Sequence, residues 1–134
     1  MPNHDLEMLT YLQLADLSQR QRQTLGSDKL LVLAGVAACK AGCRPVAARC
    51  REIVIQHHPR HLLARFPSIA DALRSDEFAP LLKRLQKLCS FERAEFLARE
   101  WGLFDDSAAD LDATEIEAAA LELLAAMSAR REPR

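Results

Sequence analysis

Apolar residues along this chain recur every three or four positions, and no stretch alternates every second one. That spacing predicts helices throughout, because residues three and four apart share a helix face whereas neighbours in a strand point to opposite faces. From Leu30 to Cys39 ten residues in a row are apolar or glycine, bounded by Lys29 and Lys40. The run is too rich in Ala and Leu for a strand and too short to span a bilayer, so it predicts a helix buried nearly all round. Thr24 to Ser27 read as the loop before it, Ser27 and Asp28 as N-cap oxygens, and Gly42 as the C-terminal residue free to take a positive φ. Pro45 opens a second helix with Val46, Ala47, Cys50, Ile53, Val54 and His57 on one face and Arg49, Glu52 and Gln56 on the other, and Pro59 ends it.

The same pattern places the other elements. Residues 5–23 predict a first helix striped by Leu6, Leu9, Leu12, Leu14 and Leu17. Leu62, Leu63, Phe66, Ile69, Ala70 and Leu73 keep helical spacing through Pro67, where the missing N–H forces a kink or a restart. Ser68 with Asp71 three residues on favours the restart. Pro80 starts a helix with Leu81, Leu82, Leu85, Leu88 and Cys89 on its apolar face, and Ser90 caps one striped by Ala94, Leu97, Ala98 and Trp101 and ended by Gly102. The expected organisation is a helical body over 1–102, an acidic linker over 103–113 and a C-terminal amphipathic helix over 114–134. Within the body lie the hairpin 28–58 and helices at about 60–74, 80–89 and 91–101. Thr114 and Glu117 form a capping box for the last helix, whose stripe is Ile116, Ala120, Leu123, Leu124 and Met127. That stripe must be buried, on the body of the protein or on a second copy as a homodimer.

Composition agrees with an all-α bundle. The chain has 134 residues, 49% hydrophobic and 28% charged, enough for a core without staples, and only seven aromatics (five Phe, one Tyr, one Trp). The N-terminus lacks a basic region followed by an apolar one, and no run can anchor in a membrane, so the expected location is cytoplasmic and Cys39, Cys43, Cys50 and Cys89 are expected as reduced thiols. Charge is uneven: −1 over residues 1–27, +5 over 28–65, zero over 66–102 and −5 over 103–134. The acidic tail is therefore expected near the basic segment, with apolar burial providing most of the attraction.

With Asp28 as the first position of a 34-residue frame, Gly35, Gly42, Ala47 and Pro59 fall where the tetratricopeptide repeat places its small first-helix residue, turn glycine, crossing alanine and closing proline. Residues 28–61 thus resemble one tetratricopeptide hairpin, about a quarter of the chain. Leu31 and Ala38 stand where the family has large aromatics, Arg51 stands where it has another, and no second copy follows. The resemblance implies a protein-interaction or adaptor module whose first helix meets a peptide through Lys29, Val32, Val36, Cys39 and Lys40. Two lysines flanking a small apolar strip suit an acidic peptide or a C-terminal carboxylate. The competing reading makes Val32, Val36 and Cys39 core, covered by the first helix.

Three other chemistries were weighed. Cys39, Cys43, Cys50, His57 and His61 invite a metal, but His57 lies on the order of 18 Å along its helix from the turn that holds Cys43, so one ion cannot join them. A thiol group at the turn and a His57 and His61 pair remain as candidates, neither with four ligands at a recognised spacing, and buried structural thiols with no metal or cofactor are the expectation. Arg44, Arg49, Arg51, Arg60 and Arg65 form the alternative site, a basic patch for nucleic acid, set against the slightly acidic charge of the whole chain and the absence of interleaved aromatics. No glycine-rich phosphate loop, nucleophile elbow or His/Asp/Ser set is present, so catalysis is not expected.

Overall fold

The computed structural model describes residues 4–103 and 111–131. They form seven α-helices and one 3-10 turn, with no strand among them: α1 (His4–Arg20), α2 (Thr24–Ala41), α3 (Arg44–His57), the 3-10 turn Leu62–Arg65, α4 (Ile69–Leu73), α5 (Ala79–Leu88), α6 (Phe91–Glu100) and α7 (Ala113–Arg131). The protein is a small all-α bundle, as its apolar spacing predicts.

α2 is the axis of that bundle. Leu31 to Ala38 are buried without interruption, and the helix packs against α1, α3, α4 and α5. Its start differs from the capping expectation: it begins at Thr24, and Ser27 and Asp28 lie inside the first turn and a half. Both polar side chains are buried and face neighbouring helices. The Ser27 hydroxyl donates to the Ala15 carbonyl on α1 at 3.0 Å, and the Asp28 carboxylate meets imidazoles at the end of α3. A buried hydroxyl or carboxylate needs a partner whether or not it caps, and here tertiary partners took precedence over the local N–H groups.

Gly42 closes α2 at φ +80° with its N–H on the Cys39 carbonyl, the left-handed termination that glycine adopts without steric cost. Pro45 occupies the first turn of α3. After Pro59 the chain makes its 3-10 turn and, beyond Pro67, restarts as α4, where the Ser68 hydroxyl accepts the Asp71 N–H at 3.1 Å. α4 brings Ile69 against Gly35, where α2 carries no side chain to hold it off.

α7 lies across α1 and α3. Ile116, Ala120, Leu124 and Met127, at i, i+4, i+8 and i+11, are buried, and Leu123 is half-buried. The homodimer that the sequence leaves open at this helix has no apolar stripe there to use. Two details differ from expectation. The capping box sits two residues earlier, with Asp112 accepting the Glu115 N–H at 2.8 Å and Glu115 accepting the Asp112 N–H at 3.3 Å. The charge pairing also runs the other way: the described ion pair from this helix to the body comes from its cation Arg130, which reaches Asp16 on α1, and no described carboxylate of the helix pairs with the basic segment. Gln19 reinforces that end, donating to the Met127 carbonyl at 2.9 Å and accepting from Arg130 at 2.8 Å. Residues 104–110 of the expected acidic linker lie outside the described residues.

Candidate functional site: an apolar groove with a basic rim

α5 packs on α2 and α6 on α1. Their junction is fixed by Tyr11, whose hydroxyl donates to the Cys89 carbonyl at 2.9 Å and whose ring lies 6.4 Å from that of Phe91. Leu85, Ala94 and Ala98 are the residues this pair buries. Alanines let α6 approach closely, but they cover little.

A groove of about 420 Å³ therefore remains between the two helix pairs. Its floor is Leu14 and Leu17 from α1 with Leu30 and Leu33 from α2, and its walls include Leu88, Leu97 and Trp101. Leu88 and Trp101, expected in buried stripes, are each 58% exposed. Phe96, on α6 three residues after Arg93, is also largely exposed. Single exposed leucines are common, but here a leucine and the only tryptophan of the chain share one concave apolar surface. Among the described residues two cations, Lys29 and Arg93, line the groove, and no carboxylate does. Burial pushes the thiol of Cys89, which lines the groove, above its ordinary range.

The strip on α2 that the sequence offered as a peptide contact does not form a surface. Val32 and Val36 are 1% and 3% exposed, core residues of a helix packed on four sides; Cys39 is half-buried, and only Lys29 and Lys40 are exposed. Of that set Lys29 alone reaches the groove.

Of the arginines of the alternative patch, Arg44 and Arg51 line a second groove with Arg74, beside Glu52 and Asp71, and the others stand apart. Arg49 is held by Glu52 at 2.6 Å and by the Ser128 hydroxyl at 2.8 Å, Arg65 by Glu77 at 3.1 Å. Arg51 donates twice to the Phe66 carbonyl, at 2.7 and 3.1 Å, and so fixes the chain after the 3-10 turn. The exposed Arg44 and Arg60 stand at opposite ends of α3, on the order of 20 Å apart.

The histidines gather around one buried carboxylate. Asp28 Oδ2 lies 3.0 Å from His58 Nε2 and 3.4 Å from His57 Nδ1. These are ion-pair separations, and among the described residues no three His, Cys, Asp or Glu side chains form a group that could hold a metal ion. His61 stands apart as the cap of the 3-10 turn, its Nδ1 accepting the Leu63 N–H at 3.1 Å. Burial pulls its imidazole below the usual range, the neighbouring His58 adds to this, and Asp28 opposes it. Cys50 is wholly buried and its thiol pushed far up, whereas Cys43 lies 3.8 Å from Asp5.

The groove has a faint signal in the sequence. The leucines of α1 are too many for one stripe: Leu9 and Leu12 serve the core, and Leu14 and Leu17 floor the groove. Arg93 carries no signal at all, being one of several cations on a helix of mixed charge. No family model, curated protein or solved structure matches this chain.

Proposed function

We propose that the protein is a non-catalytic interaction module that binds an acidic segment of a partner protein in the groove between the α1–α2 and α5–α6 pairs. One observation carries the reading: an apolar groove with exposed Leu88 and Trp101 on its walls, and Lys29 and Arg93 as its only charged lining among the described residues. Tryptophan in a concave apolar site is the kind of residue on which binding energy concentrates, and rim cations select an acidic partner more than they strengthen the complex. The tetratricopeptide resemblance of residues 28–61 supports the same class of function, with the binding surface moved from the inner face of α2 to the ends of α1 and α2.

The test is affinity capture on the full chain from its source cells, run beside Leu88→Asp and Arg60→Ala, with a photo-cross-linker at position 88. The expected result is a protein retained by the native chain and by Arg60→Ala, lost with Leu88→Asp, and cross-linked from the groove. Equal retention by Leu88→Asp, or nucleic acid in place of protein that is lost with Arg60→Ala, overturns the proposal.

A further inference from the structure

The four helices that line the groove offer a partner backbone groups only at their ends. Within each helix the N–H and C=O groups bond one another, and even the turns at the groove are engaged: Gln21 N–H on Leu17, Gln23 N–H on Ser18, Cys89 N–H on Leu85, Trp101 N–H on Leu97, and the Cys89 carbonyl on Tyr11. A peptide that enters as an extended strand must therefore bury N–H and C=O groups without partners, at about 1–3 kcal/mol each. A helix arrives with its backbone already satisfied.

Size points the same way. An apolar cavity of about 150 Å³ holds one benzene, so about 420 Å³ has room for roughly three large side chains and not for a helix itself. Three anchors at i, i+4 and i+7 extend over about 10 Å of helix, one face of two turns. Lys29 on α2 and Arg93 on α6 stand on different walls, placed for carboxylates that flank such a face.

We infer that the occupant of the groove is an amphipathic α-helix whose apolar face carries three large side chains and whose flanks carry carboxylates. This rests on the groove being a peptide site, and the experiment separates the two claims.

Trp101 is the only tryptophan, so its emission reports the groove directly. The full chain is titrated with three tryptophan-free peptides of about 16 residues, long enough to form a helix. The first has Leu at i, i+4 and i+7 with Glu on the flanks, the second replaces Glu by Lys, and the third keeps Glu but has two central prolines. A saturable blue shift with the first is expected, weakened at least about tenfold for the second, the third, and the first on Leu88→Asp. Position 88 is exposed, so that variant keeps its fold, as its circular dichroism will show. Equal binding of the proline peptide overturns the helical occupant while the peptide site stands, and equal binding of the Lys peptide overturns the charge requirement. If no peptide moves the Trp101 emission, the peptide-site reading falls as well. A concentration-dependent dimer in light scattering, abolished by Leu88→Asp, makes a second copy the occupant and overturns the inference.

Discussion

Gly35→Ala tests the closest approach in the core. In an unobstructed helix the change stabilises by about 1 kcal/mol, since alanine loses less conformational freedom and covers backbone. At Gly35 the added methyl would overlap the Ile69 Cδ1 and lie 3.3 Å from the Cys50 Cβ. Ile69 and Cys50 are both fully buried, so neither can swing into solvent, and forcing a methyl into such a core costs about 1–3 kcal/mol. The cost outweighs the propensity gain, and the expected net effect is a loss of about 1 kcal/mol, a drop in Tm of roughly 4 °C. Removing the obstructing carbon with Ile69→Val, itself costing about 0.5–1.5 kcal/mol, should turn Gly35→Ala from harmful to neutral or favourable. Urea melts of the four proteins in this double-mutant cycle measure the coupling, expected at about 1–2 kcal/mol. If Gly35→Ala stabilises equally in both backgrounds, α4 does not press on α2 at this point and the packing described is wrong.

Other outcomes follow from the same coordinates. Met127→Ala should cost about 2–5 kcal/mol in urea melts because it empties a buried site between α7 and the body, whereas Ala125→Ser, exposed on the same helix, should change little. Because the folded protein holds the His61 imidazole below its ordinary 6.5, the unfolded chain binds a proton more readily; stability from this group is present above about pH 6.5 and is lost as pH falls through the lower folded value. Protonation also forfeits the Leu63 cap, so melts at pH 7.5 and 5.5 should show less acid sensitivity in His61→Asn. Alkylation followed by mass spectrometry should leave Cys50 unmodified until the protein unfolds, since burial holds its thiol protonated and inaccessible, while the half-buried Cys39 and Cys89 react first.

The fold was legible because its signals are local. Ten apolar residues in sequence can only be a buried helix, Gly42 and Gly102 do end helices at positive φ, and Pro67 does break one. The misplaced start of α2 has another origin. Ser27 and Asp28 make good N-caps and equally good tertiary donors and acceptors, and which role wins depends on Ala15 and His58, residues 12 and 30 positions away. In the tail the net charge does not name the described ion pair to the body, which joins Arg130 to the nearly buried Asp16, and Asp105, Asp106, Asp110 and Glu132 lie outside the described residues. Spacing likewise assigned Leu88 and Trp101 to buried faces, since periodicity tells which residues share a face and not whether the facing helix is long enough to cover them.

That length is what creates the groove. α1 and α2, with 17 and 18 residues, extend about 26 Å, whereas α5 and α6, with 10 each, extend about 15 Å. A short pair cannot cover a long one. The chain also has α7, whose 19 residues match α1 in length and bury its stripe where it packs on α1 and α3. At the groove the C-terminal half of α1 and the first half of α2 meet Leu85, and Leu17 and Leu30 are left half-buried on the floor. Leu88 closes α5 and Trp101 follows the last residue of α6, so both large side chains stand where their own helices end. Burying them takes about two more turns of helix on the α1–α2 floor, the same span that three anchors of an acidic amphipathic helix would occupy.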